Sequence, residues 1–328
     1  MRIAFLGSDN FGLATLDALA ASDRHELLGV VSQPDRPAGR GRKVTPTPVA
    51  AWARGRGLPL LCPPNVNRPD ILAELAGWRA DVGVVIAFGQ KLGDALLNSL
   101  PHGCVNLHSS LLPKYRGAAP VAHAIIHGER ETGVTVFRLV QRMDAGPIVC
   151  QRTVAIAPAE TAGELRERLS RLGPEAIGGT LDAIAAGTAG FVQQDDREAT
   201  LAPKLVRADG VIDWTVPAER IACRIRGVYP WPGAHARYVH RSGRCEDVVL
   251  VRAVAEPAGD PSDIRPGELT ETLGVAAGEG VVRVLQIKPA GRNVMDFTAF
   301  VNGRNVQPGD RFEPTGPAGE KWNQSPHE

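Results

Sequence analysis

The sequence predicts a doubly wound α/β domain with a mostly parallel sheet, followed by a smaller β-rich domain that is a barrel or a sandwich. The chain has 328 residues, a length that favours two domains. Its first half alternates short apolar runs rich in β-branched residues with stretches of helical spacing, as doubly wound sheets do. After about residue 188, short alternating strands punctuated by Gly and Pro take over, as in barrels and sandwiches.

The predicted strands of the first half are short, and several are apolar on both faces. Such runs suit a parallel sheet that helices cover on both sides. They are Ile3–Leu6, Leu27–Val31, Val82–Ala87, Cys104–Leu107 and Val134–Leu139.

Helical spacing marks Leu13–Ala21 and Pro69–Trp78, which lie between these strands. Farther on, Thr161-x-x-Glu164 has the form of a capping box that begins a helix, and Pro174 suits the first turn of another. This helix pair is expected to close the first domain.

The second half begins with a polar segment, Gly187–Lys204, that has no sustained period and is interpreted as a linker. Strands are then predicted at Ala236–Val239, Val248–Val251 and Gly280–Ile287. The resulting domain limits are residues 1–188 for the first domain, 189–207 for the linker, 208–316 for the second domain and 317–328 for a loose tail.

Composition excludes several classes of protein. The net charge of +1 excludes a histone-like polybasic chain, although it leaves room for local basic patches. The five cysteines are scattered without a C-x-x-C pair, which favours reduced thiols. No run of eighteen apolar residues predicts a membrane span, and the first residues lead directly into a strand. We therefore expect a cytoplasmic protein.

Three polar residues follow predicted strands and suit acyl-transfer chemistry. Asn106 and His108 stand two apart at the end of one strand, so their side chains point to the same face. Asp144 follows the next strand, and ligands of open α/β sheets collect beyond the carboxyl ends of strands. An amide, an imidazole and a carboxylate can together stabilise an oxyanion and move a proton. Spacing alone also allows a strand end, a half-buried histidine and an ordinary turn.

Two segments are locally basic. The first carries Arg36, Arg40, Arg42 and Lys43 among Gly and Pro residues that disfavour a helix, which suits close approach to a phosphate backbone. The second, Arg220 through Cys245, contains no acidic residue.

The second basic segment also contains Tyr229-Pro-Trp231-Pro, and we expect Trp231 to pack in the core. Its arginines either face a nucleic acid or cover a sheet edge, while the Arg36–Lys43 loop is either a nucleic-acid contact or a solvated face. The arginines are Arg220, Arg224, Arg226, Arg237, Arg241 and Arg244.

Longer motifs carry a family resemblance. The run from Asn106 to Pro120, NLHSSLLPKYRGAAP, is followed by Thr132-Gly-Val-Thr135 and Met143-Asp-Ala-Gly146. Together they resemble the 10-formyltetrahydrofolate-dependent formyltransferases. Four further blocks are similar to the branch of that family that acts on methionyl initiator tRNA, and they extend the resemblance over nearly the whole chain. They are Gln33–Lys43, Ile212–Trp214, Tyr229–Gly233 and Gln286–Gly291.

The resemblance implies a reaction and the residues that perform it. The reaction is transfer of a formyl group from N10 of 10-formyltetrahydrofolate to the α-amine of methionine on initiator tRNA. Asn106, His108 and Asp144 match the catalytic triad of the family. The folate contacts implied by the resemblance are Phe88, Gly89, Ser110, Leu111, Leu112 and Pro113.

The tRNA partner is implied in the same way. The loop with Arg36, Arg40, Arg42 and Lys43 matches the insertion that reaches the acceptor end of the tRNA. The second domain of the family resembles an oligonucleotide-binding barrel, a fold that binds nucleic acid across one face. In this chain that barrel supplies Arg220, Arg224, Arg226 and Arg237 as candidate phosphate contacts.

Other functions remain open at this stage. A sugar-nucleotide amine formyltransferase or a formyltetrahydrofolate hydrolase would share the triad but needs neither basic segment. A non-catalytic RNA-binding protein would need only the basic domain. His123 and His127 have the spacing of a zinc pair but lack a following Glu and a third ligand, so we expect no metal. We also expect a monomer, because no apolar helix seam stands out.

Overall fold

The computed structural model describes residues 1–38, 41, 43–256 and 264–316, so the predicted tail lies outside the described residues. The chain forms two compact units. The predicted division at residue 188 makes each domain one continuous segment of the chain. In the structure, two segments that precede residue 188, Gly117–Thr132 and Ala155–Leu165, belong to the second unit. The first unit comprises Met1–Arg116, Gly133–Val154 and Arg166–Ala199; the second comprises Gly117–Thr132, Ala155–Leu165 and the chain from Thr200 onward.

The strands are β1 Arg2–Gly7, β2 Glu26–Val31, β3 Arg36–Ala38, β4 Lys43–Thr45, β5 Leu60–Leu61, β6 Val82–Ile86, β7 Cys104–His108, β8 Arg116–Gly117, β9 Glu131–Arg138, β10 Ile148–Ala155, β11 Leu201–Ala202, β12 Ala234–Val239, β13 Cys245–Glu256, β14 Val275–Ala276, β15 Val281–Pro289, β16 Met295–Asp296 and β17 Arg311–Pro314. The α-helices are α1 Leu13–Ala20, α2 Pro48–Gly55, α3 Pro69–Gly77, α4 Asp94–Leu97, α5 Pro120–Ile126, α6 Ala162–Ser170, α7 Gly173–Ala185, α8 Ala218–Gly227 and α9 Phe297–Arg304. Short 3-10 helices occupy Asn10–Gly12, Asp196–Glu198 and Arg207–Gly210.

The first unit is built on one sheet with the strand order β10-β9-β7-β6-β1-β2-β5. Strands β7, β6, β1, β2 and β5 are parallel, while β9 runs antiparallel to β7. All five residues of β6 are buried, as expected for a strand that helices cover on both faces. The predicted mostly parallel α/β sheet is thus confirmed, and the carboxyl ends of β1, β2, β6 and β7 share one edge.

The predicted helices also form, and their caps match the sequence signals. Helix α1 buries Leu16 and Leu19. At the start of α6, the Glu164 carboxylate accepts a hydrogen bond from the Thr161 N–H at 2.9 Å, and the Glu164 N–H donates to the Thr161 hydroxyl at 3.4 Å. These reciprocal contacts are the predicted capping box. No described helix is long and apolar enough to cross a membrane.

The second unit contains an antiparallel sheet that is nearly closed into a barrel, as predicted. Its strand order is β14-β15-β13-β12-β17, and β16 pairs with β15. The chain near Gly267 joins the two ends of this order, because Gly267 accepts from the Phe312 N–H at 2.7 Å while Glu268 accepts from the Ala276 N–H at 2.8 Å. Gly267 has φ +92°, and a Cβ there would lie 2.6 Å from the Phe312 carbonyl oxygen, so the junction requires glycine.

Two features of the second unit differ from expectation. Helix α8 was not predicted, and it is buried over most of its length, including Arg224 and Arg226. Trp231 was expected in the core, yet it is 52% exposed. The prediction for Trp231 is therefore wrong. Trp231 and the prolines on either side of it lie in the loop between α8 and β12 and not on a strand of the core.

Candidate active site

Strand β7 carries two of the predicted catalytic side chains at the carboxyl edge of the parallel sheet. Asn106 lies opposite Phe137 of β9, and His108 lies opposite Thr135. His108 is 7% exposed, and its ring meets Phe137 edge-on at 6.4 Å between centroids. Asn106 is half-buried, and its side-chain amide makes no hydrogen bond to any residue that the structure describes. The amide is thus available to a ligand.

The hydrogen bonds of His108 determine which ring nitrogen can take up a proton. Nε2 lies 2.8 Å from the Tyr115 backbone oxygen, and since a carbonyl only accepts, Nε2 carries hydrogen and donates. Nδ1 faces the Asp144 carboxylate at 3.8 Å, which is longer than a direct hydrogen bond. Protonation at Nδ1 would create an imidazolium beside a carboxylate, and their opposite charges attract.

Asp144 lies on a tight turn between β9 and β10. Its φ is +49°, a left-handed conformation that aspartate tolerates better than most residues. A Cβ on Gly146 would lie 1.7 Å from the Arg138 backbone oxygen, so the turn can pack against β9 only with glycine there. The Asp144 side chain is 17% exposed. The structure therefore brings Asp144 to His108, as the sequence predicted, by means of a closely packed turn.

A side chain that the sequence did not indicate holds this turn. Gln194 Nε2 donates to the backbone oxygens of Asp144 at 2.8 Å and Gly146 at 2.7 Å. Its Oε1 accepts from Arg116 Nε at 3.0 Å and Nη2 at 2.7 Å. Gln194 lies in the segment predicted as a linker, where the sequence carries no signal of such a role.

The predicted folate loop, Ser110–Pro113, is fixed by hydrogen bonds. The Thr135 hydroxyl donates to the Ser110 backbone oxygen at 2.7 Å and accepts from the Leu112 N–H at 3.1 Å. Gln151 donates to the Leu112 backbone oxygen at 2.9 Å, and the Leu112–Pro113 peptide is cis. Ser110 and Leu112 are buried, while Leu111 and Pro113 remain partly exposed. The loop thus combines a rigid backbone with two apolar side chains that a ligand can reach.

The other predicted folate element, Phe88–Gly89, follows β6 at the same sheet edge. The Phe88 backbone oxygen accepts from the Ser8 hydroxyl at 3.0 Å and from Gln33 Nε2 at 2.9 Å. The Phe88 side chain is 2% exposed, and Gly89 has φ +78°. Phe88 therefore supports the element from within the core and leaves contact with a ligand to the backbone.

Comparisons with known proteins identify the family. The formyl transferase family model matches residues 1–181, and the model of the formyl transferase C-terminal domain matches residues 204–305. Methionyl-tRNA formyltransferase of Roseiflexus sp. (strain RS-1) is 42% identical over 315 residues, which cover 95% of each chain. That of Anaeromyxobacter dehalogenans is 43% identical over 309 residues, covering 92% of this chain and 97% of the relative. The chain belongs to the methionyl-tRNA formyltransferase family.

Solved structures share the fold at lower identity. A sugar 3N-formyl transferase determined with dTDP and 5-N-formyl-THF is 16% identical with a TM-score of 0.62, covering 89% of this chain and 99% of that one. HypX from Aquifex aeolicus in complex with tetrahydrofolic acid is 19% identical with a TM-score of 0.56, covering 92% of this chain and 47% of that one. The fold predicted for this family is therefore confirmed.

The two described tRNA candidates of the first unit, Arg36 and Lys43, lie on a hairpin. Strands β3 and β4 pair antiparallel, with Arg36 opposite Thr45 and Ala38 opposite Lys43. Arg36 and Lys43 are exposed at opposite arms of this hairpin. Arg40 and Arg42, which the sequence also assigns to tRNA, lie outside the described residues.

The candidate tRNA residues of the second unit divide into two kinds. Arg220 and Arg237 are exposed, whereas Arg224 and Arg226 are 7% and 8% exposed. Arg226 donates to the Glu160 backbone oxygen at 3.1 Å and to Cys223 Sγ at 3.3 Å. Burial lowers the pKa of Arg224, which lies 3.9 Å from Asp209. A guanidinium so enclosed stabilises the fold and offers little surface to a phosphate.

Candidate metal ligands do not cluster in the part of the chain that the structure describes. Within residues 1–38, 41, 43–256 and 264–316, no group of three or more His, Cys, Asp or Glu side chains could hold a metal ion. His123 and His127 do lie together, with ring centroids 5.6 Å apart. His123 Nε2 is 3.0 Å from the Pro203 backbone oxygen, to which it donates. That no metal takes part remains a prediction.

Proposed function

We propose that this protein transfers the formyl group of 10-formyltetrahydrofolate to the α-amine of methionyl initiator tRNA. Formyl transfer to methionyl-tRNA is the activity for which its relatives are named. One observation carries the proposal: His108 and Asp144 face each other 3.8 Å apart, with Asn106 two residues before His108 on the same strand, in a chain of which 92–95% matches those relatives. The product, N-formylmethionyl-tRNA, would serve translation initiation.

The proposed chemistry begins with attack of the neutral amine on the formyl carbon. A bond forms between the amine nitrogen and that carbon, and negative charge develops on the formyl oxygen. The Asn106 side-chain amide is suited to donate a hydrogen bond to this oxygen, because no described residue accepts a hydrogen bond from it. His108, whose Nε2 is committed to Tyr115, would use Nδ1 to share or move a proton.

Asp144 would stabilise the protonated form of His108 while the intermediate collapses. The carbon–N10 bond breaks, the proton lost by the attacking amine is delivered to N10, and the formyl group remains on methionine. At 3.8 Å from Nδ1, the carboxylate is close enough for its negative charge to stabilise positive charge that develops on the ring during proton transfer. Asp144 would therefore contribute electrostatically, through the His108 ring that transfers the proton, and not by contact with the substrate.

The formyl donor is proposed to bind beside this group. Partly exposed Leu111 and Pro113 would form an apolar slot, and backbone groups near Gly89 and Ser110 would contact the amide edge of a pterin. The fixed backbones of both elements support this assignment, since a rigid site loses less entropy on binding.

The tRNA is proposed to bind through the exposed basic side chains of Arg36, Lys43, Arg220 and Arg237. Arg40 and Arg42, which lie outside the described residues, belong to this proposal through the sequence resemblance. Phosphate contacts from such residues position a nucleic acid without reading its sequence. Because Arg224 and Arg226 are buried, we assign them a structural role in place of the predicted tRNA contact.

A transfer assay with two acceptors tests the proposed function. Purified protein and 10-formyltetrahydrofolate would be incubated with methionyl initiator tRNA or with an amino-sugar nucleotide, and formylated products would be measured. N-formylmethionine on the tRNA alone is the expected result. Transfer to the sugar amine without transfer to tRNA, or release of free formate as the main product, would contradict the proposal.

A further inference from the structure

The turn that carries Asp144 is held from behind by one amide side chain. Gln194 Nε2 donates to the backbone oxygens of Asp144 at 2.8 Å and Gly146 at 2.7 Å. These two carbonyls lie on either side of Ala145, so a single NH2 group fixes both ends of the turn. Both hydrogen bonds join parts of the chain that are distant in sequence, since 50 and 48 residues separate Gln194 from its two partners.

The orientation of this amide is determined by its other partners. Gln194 Oε1 accepts two hydrogen bonds from the Arg116 guanidinium, at 3.0 Å and 2.7 Å. Both N–H groups and both acceptor sites of the amide are therefore in use. The reversed amide would place N–H groups against a guanidinium and an oxygen against two carbonyls, so only one orientation is compatible with these neighbours.

Arg116 anchors the amide and links it to the beginning of the turn. Its side chain is 5% exposed, and its Nη1 donates to Asp196 at 2.9 Å. The other oxygen of Asp196 accepts from Arg142, which stands two residues before Asp144. Hydrogen bonds from Arg142 and Arg116 lower the pKa of Asp196, so its carboxylate is charged at neutral pH. The turn is thus held at its first residues and along its backbone.

We infer that Gln194, oriented by Arg116, is a positioning residue that holds the Asp144 carboxylate beside His108. The inference rests on the proposed function, because it assigns Gln194 a role in that same reaction. Asp144 has φ +49°, and left-handed residues other than glycine persist where surrounding contacts hold them. Gln194 supplies two such contacts, and Asp144 Oδ2 lies 3.8 Å from His108 Nδ1 in the resulting arrangement.

Three substitutions separate the positioning role from general stability. Gln194→Glu keeps acceptor oxygens for Arg116 but replaces the NH2 group with an oxygen that repels the two carbonyls. Gln194→Ala removes both sets of contacts. Gln193→Ala is the matched control, because Gln193 is the exposed neighbour. Misplacement of a catalytic group by about 1 Å can cost about 10²-fold in rate, so both Gln194 variants should lose up to about 100-fold in kcat while the KM values for folate and tRNA stay near wild type.

A double-mutant cycle shows whether Gln194 acts through Asp144. In an Asp144→Asn background, Gln194→Ala should reduce the residual single-turnover rate by less than about twofold, because the group it positions is already disabled. Equal losses in the wild-type and Asp144→Asn backgrounds would overturn the inference. So would a normal kcat in both Gln194 variants.

A structural readout keeps this test separate from that of the proposed function. Hydrogen–deuterium exchange of a peptide covering residues 140–147 should be faster in Gln194→Glu than in wild type and unchanged in Gln193→Ala. Unchanged exchange in Gln194→Glu would overturn the inference even in an active enzyme. A different outcome would reject only the proposed reaction: the wild-type protein fails to formylate tRNA while the exchange of residues 140–147 changes as expected. That outcome would still support the hydrogen bonds of Gln194 as the contacts that hold the turn.

Discussion

The sheet edge that carries the candidate active site in the first unit and the arginine-rich α8–β12 region of the second unit hold their polar groups in different ways. At the edge, His108 and the Asp144 turn are fixed by hydrogen bonds, so that two side chains face each other. In the α8–β12 region, Arg224 and Arg226 are enclosed by the protein, while Arg220 and Arg237 are exposed. In the first region two polar side chains are held next to each other, whereas in the second the arginines are divided between the interior and the surface.

This contrast indicates which kinds of polar residue can act on a ligand. A side chain contributes to chemistry when its neighbours fix its direction and leave one group available, as for His108, whose Nε2 is hydrogen-bonded to Tyr115 while Nδ1 faces Asp144 at 3.8 Å. A buried arginine such as Arg226, whose guanidinium donates to the Glu160 backbone oxygen and to Cys223 Sγ, presents little surface to a ligand. Local charge is therefore a weaker guide to function than the combination of burial and unused hydrogen-bonding capacity.

Removal of the Asn106 amide should have the largest effect and tests the first region. Asn106→Ala should lower kcat by about 10²–10³-fold, because it deletes a proposed oxyanion donor. Folate binding, measured at equilibrium, should remain near wild type. Asn98→Ala, at an exposed position after α4, is the control and should be fully active. Single-turnover formylation near the wild-type rate in Asn106→Ala would remove Asn106 from the mechanism.

Much of the geometry at this candidate site could be predicted because its signals are local in sequence. Asn106 and His108 are two residues apart on a strand, so their common face follows from strand geometry. The apolar runs of β1 and β6 likewise predict buried parallel strands. Gln194 could not be predicted, since Arg116 lies 78 residues away and the surrounding segment is polar without a period. Only the folded chain brings the two together.

The second unit was harder to predict because its interior contains charge. Helix α8 buries its face with Arg224 and Arg226, so the polar pattern that normally marks the solvent side is misleading here. Arg226 is accommodated because the Glu160 backbone oxygen accepts its hydrogen bond. The exposed Trp231 is the opposite case, an aromatic residue that the sequence placed in the core.

Two arginines of α8 test the division between interior and surface. Arg226→Ala should lower the free energy of unfolding by about 1–3 kcal/mol, since it leaves the buried Glu160 carbonyl without its partner. Arg220→Ala, at an exposed position, should change it by less than about 0.5 kcal/mol. Urea unfolding of both variants measures the difference. Equal stabilities would contradict the structural role of Arg226.

Binding measurements should give the reverse order for the same two variants. Arg220→Ala should weaken binding of initiator tRNA and reduce the slope of log affinity against log salt by about one, because one phosphate contact is lost. Arg226→Ala, assayed at a temperature where it is folded, should leave both quantities unchanged. A salt slope that is unaffected by Arg220→Ala would remove this arginine from the proposed tRNA surface.

The smallest expected effect concerns Arg237, whose charge is partly neutralised within the protein. Its Nε donates to Asp247 at 2.8 Å, and this hydrogen bond holds the pKa of the Asp247 carboxyl below its usual range. Asp247 is therefore charged at neutral pH and competes with a phosphate for the guanidinium. Asp247→Asn should tighten tRNA binding by about twofold at low salt, since exposed ion pairs are weak, and the gain should vanish as salt screens both charges. The same substitution combined with Arg237→Gln should have no such gain. Weaker or unchanged tRNA binding by Asp247→Asn at low salt would contradict the competition between Asp247 and a phosphate for Arg237.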